Sequence, residues 1–227
     1  MAGKIRPTHQ RMKAAASEAK INTEALWVEP GGFECWGDAS VLDPWRRKWA
    51  GIGLVVRHQD DTWHGSSYAI GSGLEVWEAE TEAVLVAMNL ALERKEIHGG
   101  TSEDFAWVKF YTDSSEVVRN IESYRLNHGA HSRLGERFYR RLVALEAAGL
   151  RFECVRCRSH QDRGLPNDHA DALAKEGSDA MRLHWQWSDL PERERCGCGS
   201  QDRDYCNWST ERQLFSVNHE SGEVFAE

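Results

Sequence analysis

The 227-residue sequence contains no apolar run near the roughly 20 residues that a membrane-spanning helix requires. It also starts without the apolar stretch of a secretory signal. We therefore expect no membrane partner and an intracellular location, in the nucleus or the cytoplasm. The basic, acid-poor start leaves a mitochondrial transit peptide open. Without a secretory signal, the six cysteines are expected to be thiols or metal ligands rather than disulfides.

The sequence also lacks an excess of positive charge. Its formal net charge is −8, which argues against a protein that coats nucleic acid non-specifically. Two segments are nevertheless basic, residues 1–20 and 133–163, and each has a net charge of +4. Because phosphate binding depends on local charge, an acidic protein with two basic segments can still bind a nucleic-acid backbone.

The composition and the turn signals predict one folded domain with an extension at each end. Hydrophobic residues make up 41% of the chain, which is enough for a core. The turn Glu29-Pro30-Gly31-Gly32 marks the first boundary. We predict a basic N-terminal extension over residues 1–32, a catalytic domain over residues 33–183, and a Trp- and Cys-containing C-terminal extension over residues 184–227.

Hydrophobic periodicity predicts an α/β fold. The predicted strands are Phe33–Asp38, Trp49–Val56, Trp63–Ile70, Trp107–Thr112 and Arg151–Arg158, with helices over Glu78–Glu93, after Ser114, from Leu134 to Gly149, and after Pro166. Short connections make the first three strands antiparallel, whereas strands joined through helices run parallel. The expected architecture is a mixed five-stranded sheet flanked by helices.

Four acidic residues stand where a core side chain or a strand end is expected: Asp38, Glu80, Asp113 and Asp171. An unpaired carboxylate that faces a core is costly, and several at one point repel one another unless cations lie between them. Carboxylate groups of this kind suit Mg²⁺ or Mn²⁺. Taken singly, the four could also be a turn residue, a helix-dipole partner, a helix cap and an exposed helix acid. Spacing alone leaves both interpretations open.

From Asp38 to Lys175 the chain resembles the type 1 ribonuclease H family, including the domains attached to reverse transcriptases. Four motifs in the family's order carry the resemblance. They are Gly37-Asp38-Ala39-Ser40, then Ala79-Glu80 with Ala83-Val84 and Ala87-Met88, then Thr112-Asp113-Ser114-Ser115, and finally Ser159-His160 with Asn167, Ala170-Asp171 and Leu173-Ala174. The resemblance implies a ribonuclease H-like fold over about three fifths of the chain.

The resemblance also implies the roles of individual residues. Asp38, Glu80, Asp113 and Asp171 would be the ligands of two Mg²⁺ ions, with Mn²⁺ as a substitute, and His160 would assist proton transfer or product release. The substrate-binding positions would be Ala39, Ser40, Ser115 and Asn167. Several positions depart from the family pattern: Ala39 replaces a Gly, Val76-Trp77 replace amide side chains, and Ser115 replaces a frequent Gln. These departures concern contacts to the hybrid rather than the acids.

The family implies a metal-dependent endonuclease that hydrolyses the RNA strand of RNA–DNA hybrids by a two-metal mechanism. The expected products carry 5′-phosphate and 3′-hydroxyl ends. One alternative is a nuclease of the same fold that acts on another duplex or on single-stranded nucleic acid. A second alternative is a non-catalytic nucleic-acid-binding module on this fold, although such a module has no need for clustered like charges.

The C-terminal extension carries two further patterns. Cys196, Cys198 and Cys206, with His184 or His219 nearby, form a weak pattern for a structural Zn²⁺ site, because standard zinc fingers use paired Cys-x-x-Cys ligands. Its tryptophans favour packing of the tail back onto the sheet over a platform for stacking bases. Cys154 and Cys157 are not expected to be a redox pair, because residues three apart on a strand point to opposite faces.

Overall fold

The computed structural model describes residues 32–42, 47–57, 62–98, 106–130, 132–157, 166–187, 209–218 and 223–226. The strands are β1 (Gly32–Leu42), β2 (Trp49–Arg57), β3 (Thr62–Gly71), β4 (Trp107–Thr112), β5 (Arg151–Arg156), β6 (Ser209–Asn218) and β7 (Glu223–Ala226). The helices are α1 (Val76–His98), α2 (Ser115–Leu126), α3 (Arg133–Ala147) and α4 (Pro166–Trp187). No helix in these ranges has the length and apolar character to cross a membrane.

The strands form one sheet in the order β5-β4-β1-β2-β3-β6-β7. The β1–β2 and β2–β3 pairs are antiparallel, and the β1–β4 and β4–β5 pairs are parallel. The predicted five-stranded arrangement is therefore confirmed for β1 to β5. Two strands of the C-terminal extension continue the sheet, because β6 pairs with β3 and β7 pairs with β6. The sequence analysis did not include them, since the segment STERQLFSVN has few apolar residues to signal a strand.

The sheet separates two layers of helices. On one face, α1, α2 and α3 cover a core built around Phe33, Leu54, Phe110 and Phe138. On the other face, α4 covers a smaller cluster that includes Trp36, Trp63 and Leu173. The tryptophan-rich strands thus bury apolar side chains on both faces, as the near-continuous apolar run of β2 indicates.

Helix α4 lies unusually close to β2, because glycines line their contact. A Cβ atom at Gly53 would lie 2.0 Å from the carbonyl oxygen of Ala170, and one at Gly51 would lie 2.0 Å from the backbone nitrogen of Ser178. Only glycine leaves room for backbone to touch backbone in this way. The contact sets the distance between α4 and the central strands without intervening side chains.

Helix α1 is longer than predicted at both ends, and it ends at His98 instead of Glu93. Helix α1 begins at Val76 instead of Glu78, and its start is stabilised by Glu78 Oε2, which accepts a hydrogen bond of 2.8 Å from the backbone N–H of Glu75. Helix α4 continues to Trp187 and therefore passes through the predicted boundary between residues 183 and 184. The predicted cap Ser114 does cap α2, since its side chain accepts a hydrogen bond from Val117 N.

Candidate active site

Parallel strands β1 and β4 bring the first and third predicted acids to the same end of the sheet. Trp36 is paired with Tyr111, and the two rings stack with centroids 4.4 Å apart. Asp38 and Asp113 each follow two residues later, so they occupy neighbouring positions on strands that lie about 4.8 Å apart. The parallel pairing thus places Asp38, within β1, next to Asp113, which directly follows β4.

Asp38 is buried within β1, with 9% of its surface exposed, and the strand continues to Leu42 instead of ending at Asp38 as predicted. The pKa of its carboxyl group is raised to about 7, mainly by burial, then by the negative charge of Asp113 and to a smaller extent by that of Asp171. The backbone N–H of Ala39 donates a hydrogen bond of 2.7 Å to Asp38 Oδ1 and opposes the shift. The hydrogen bond therefore holds this carboxylate in place, while burial and the neighbouring negative charges destabilise its ionised form.

Glu80 lies in the second turn of α1, on the side of the helix that faces the sheet. The pKa of its carboxyl group is raised to about 7, mainly by burial and also by the charges of Asp38 and Asp113, although a hydrogen bond from the Ser114 side chain opposes the rise. Its Oε2 atom is buried without a hydrogen-bond partner. A carboxylate oxygen in that state is an acceptor that lacks a donor or a cation.

Asp171, on α4, approaches the group from the other face of the sheet. Its charge acts on Asp38, and its Oδ2 atom forms an ion pair of 2.5 Å with Lys175 Nζ, one turn along the helix. The pairing was not predicted, although the i,i+4 spacing of Asp171 and Lys175 could have indicated it. All four predicted acids therefore belong to one electrostatic group, in which α4 contributes its own counter-ion.

The donor chemistry of this group fits a divalent cation. The four carboxylates supply the oxygen ligands that Mg²⁺ and Mn²⁺ prefer, and the orphaned Oε2 of Glu80 lacks the positive partner that such an ion would provide. Within the described ranges, no three His, Cys, Asp or Glu side chains form a ready-made metal-holding set.

The predicted substrate-binding residues have different surroundings. The Ala39 N–H is directed to its own neighbour Asp38, and the Ser40 hydroxyl accepts a hydrogen bond of 3.2 Å from Ser178 Oγ on α4. Ser115 is exposed at the first position of α2. Asn167 is buried, and its Nδ2 donates a long hydrogen bond of 3.5 Å to Asp113 Oδ2. Only Asn167 therefore contacts one of the four acids through its side chain.

Several predicted residues lie outside the described part of the chain. These are His160, the three cysteines Cys196, Cys198 and Cys206, and His219. His184 is described and is buried in α4. Cys154 and Cys157 are free thiols, and burial raises the pKa of each to about 12. At neutral pH both are therefore protonated, which is the unreactive form.

Two arginines of the basic helix α3 form ion pairs with nearby acidic residues. Arg137 forms a two-pronged ion pair with Glu82 on α1, and its Nη2 atom lies 2.8 Å from Oε2. Arg140 pairs with Glu136 one turn earlier, at 2.5 Å. The Arg137–Glu82 pair joins α3 to the helix that carries Glu80, whereas the Arg140–Glu136 pair lies within α3. They also reduce the net positive charge that the basic segment presents to a phosphate backbone.

Among known proteins, the chain is similar to several solved structures. No protein-family model and no curated protein matches the chain. Similar solved structures include ribonuclease H1 from the archaeon Halobacterium salinarum, at 20% identity and a TM-score of 0.47, covering 66% of this chain and 98% of that chain. The N-terminal ribonuclease H domain of a Mycobacterium tuberculosis protein is 21% identical, with a TM-score of 0.47 and coverage of 66% and 94%.

A third similar structure is the compost-derived LC11-RNase H1 in complex with an RNA/DNA hybrid. It is 24% identical, with a TM-score of 0.48, and covers 65% of this chain and 96% of that chain. All three bear the name of ribonuclease H, the family that the sequence motifs resemble.

Proposed function

We propose that this protein is a metal-dependent endonuclease that hydrolyses the RNA strand of RNA–DNA hybrids, leaving 5′-phosphate and 3′-hydroxyl ends. The observation that carries the proposal is the buried Glu80 oxygen without a partner, in a group with Asp38, Asp113 and Asp171. Four like charges in one site reduce the stability of the fold, and a role in binding cations accounts for that cost.

In this proposal Asp38, Glu80, Asp113 and Asp171 hold two Mg²⁺ ions, or Mn²⁺ in their place. Such ions, when bound, lower the pKa of water and stabilise charge on a phosphodiester. The chain itself orients the ligands. The Ala39 N–H fixes the carboxylate of Asp38, and the Ser114 side chain fixes that of Glu80. Both hydrogen bonds favour the charged form that a cation needs.

Other residues are proposed to assist the reaction or to bind the substrate. His160, which lies outside the described residues, is proposed to assist proton transfer or product release. Ala39, Ser40, Ser115 and Asn167 are the proposed substrate-binding positions. Ser115 is exposed beside the Ser114 cap and can reach a bound strand. Val76 is also exposed, and it offers a bound duplex an apolar contact where relatives offer amides.

One assay separates this function from its alternatives. End-labelled RNA–DNA hybrid, double-stranded RNA, double-stranded DNA and single strands are incubated with the protein in Mg²⁺, alongside two variants. Asp113→Asn removes a proposed ligand, whereas Asp179→Asn removes an exposed acid on α4 that pairs with Arg182. We expect cleavage of the hybrid alone, lost in Asp113→Asn and retained in Asp179→Asn.

Other outcomes identify the alternatives. Cleavage of another duplex or of a single strand, again dependent on Asp113, would support a nuclease with a different substrate. Binding without cleavage in both Mg²⁺ and Mn²⁺ would leave a non-catalytic nucleic-acid-binding module. Equal activity of Asp113→Asn and the wild type would contradict the assignment of the site.

A further inference from the structure

A buried thiol lies next to the candidate active site. Cys157 directly follows β5, and its backbone N–H donates a hydrogen bond of 2.8 Å to the carbonyl oxygen of Thr112. Thr112 is the residue before Asp113, so the sheet itself places Cys157 beside this acid. The sequence analysis considered Cys157 only as a member of a pair with Cys154, and the proposed function gives it no role.

The thiol is the first member of a hydrogen-bonded chain. Cys157 Sγ donates to Asn167 Oδ1 across 3.4 Å, and Asn167 Nδ2 donates to Asp113 Oδ2 across 3.5 Å. An amide side chain has one accepting end and one donating end. When the S–H group occupies the carbonyl end, the NH₂ end is directed at the carboxylate. The reverse orientation would place the amide oxygen against the negative charge of Asp113.

The protonation state of the Cys157 thiol agrees with a hydrogen bond that Sγ donates to Asn167 Oδ1. Burial raises the pKa of Cys157 to about 12, and the charge of Asp113 adds to the rise. The group is therefore an S–H donor rather than a thiolate, which could only accept. Asn167 is itself buried, with 6% of its surface exposed, so water cannot readily replace either of its partners.

We infer that Cys157 is a positioning residue: through Asn167 it fixes the carboxylate of Asp113 in the orientation that cation binding requires. This inference rests on the proposed function, because it gives Asp113 the role of a ligand. Residues that orient metal ligands through hydrogen bonds typically change metal affinity by about 10- to 100-fold when removed. Hydrogen bonds in a ligand-free site are often long and shorten when the ligand binds.

The test compares four substitutions of cysteine. Cys157→Ala removes the donor and volume, Cys157→Val removes the donor but fills the space, and Cys157→Ser retains a donor. Cys154→Ala is the matched control, because it removes a half-buried thiol of the same strand that lies outside the chain to Asp113. The first measurement is Mn²⁺ affinity by titration calorimetry. We expect Ala and Val at position 157 to weaken binding by about 10-fold, the lower end of that range, with Ser and the control near the wild type.

A second measurement reads the amide without any metal. Solvent exchange of the Asn167 side-chain amide protons, followed by NMR on the metal-free protein, is expected to accelerate in Cys157→Val and Cys157→Ala and to stay slow in Cys157→Ser. A purely space-filling role predicts the opposite ranking, in which Val resembles the wild type. Unchanged Mn²⁺ affinity and unchanged amide exchange in Cys157→Val would overturn the inference.

The two measurements also separate this inference from the proposed function. If the wild-type protein takes up no Mn²⁺, the proposed function fails, and the amide exchange rates alone decide whether Cys157 holds Asn167. If the wild type binds Mn²⁺ but Cys157→Val binds it equally well with unaltered exchange, the function stands and the positioning role is refuted.

Discussion

Replacement of Asp38 by Asn is expected to stabilise the metal-free protein at neutral and alkaline pH while abolishing its proposed activity. The substitution keeps the shape of the side chain, and the amide oxygen can still accept the hydrogen bond from Ala39 N–H. It removes a buried negative charge that Asp113 and Asp171 repel. The variant therefore removes the electrostatic repulsion that the Asp38 carboxylate experiences in the wild-type site.

The magnitude follows from the pKa of this carboxyl group. It is raised from 3.8 to about 7 in the folded protein. A raised carboxyl pKa means that the folded state binds the proton more tightly than the unfolded state does. The folded state is therefore favoured most below pH 3.8, and stability is lost as the pH rises towards 7. At 1.36 kcal/mol per pH unit, the loss is at most about 4 kcal/mol, and we expect Asp38→Asn to recover about 1 to 4 kcal/mol.

The assay is equilibrium urea unfolding of metal-free protein across a pH series, with Asp179→Asn as the control. Asp179 is exposed and paired with Arg182, so its loss should change stability by less than about 1 kcal/mol. The advantage of Asp38→Asn over the wild type should be present near pH 8 and should shrink towards zero at about pH 4, where the folded wild type is protonated at this site. A gain that is independent of pH, or a loss at about pH 8, would refute the reasoning.

Three further predictions concern metal, packing and the counter-ion. Millimolar Mn²⁺ should raise the melting temperature of the wild type by roughly 2–4 °C per kcal/mol of binding energy, and Asp113→Asn should lose most of this rise in a thermal-shift measurement. Gly53→Ala should lower the unfolding free energy by more than about 2 kcal/mol, because its Cβ would meet the Ala170 carbonyl; wild-type stability in urea unfolding would contradict the close packing. Lys175→Gln should strengthen Mn²⁺ binding several-fold in calorimetry, since the lysine competes for Asp171, and weaker binding would show that it assists instead.

The arrangement of the first five strands was predictable because each strand has an apolar pattern bounded by turn residues. The positions of the acids on their strands and helices could also be predicted in part from the sequence. Asp38 and Asp113 follow apolar runs, and the parallel pairing of Trp36 with Tyr111 then brings them together. Glu80 shares a helical face with Val84 and Met88, which are buried. Hydrophobic periodicity thus predicted the fold and the elements that carry the acids, whereas their convergence on one site was implied only by the resemblance to ribonuclease H.

Other features depend on contacts that a linear pattern does not encode. The chain from Cys157 through Asn167 to Asp113 joins three segments, and nothing in their local sequence indicates the direction of the amide. The strand β6 has a weak apolar pattern and β7 has only four residues, and their place in the sheet is decided by the pairing of β6 with β3 and of β7 with β6. The positions of these strands and side chains therefore depend on tertiary contacts rather than on local sequence propensity.

The pairing of β6 with β3 has a consequence for how the molecule behaves in solution. In a sheet that ended at β3, the backbone groups from Thr62 to Tyr68 would form an open border able to recruit a strand from another molecule. With β6 in place, these backbone groups of β3 are paired, and the border moves to β7 and to the part of β6 that β7 does not cover. The C-terminal extension thus covers the edge of β3, and we expect a truncation after α4 to expose this edge and to increase aggregation measured by light scattering.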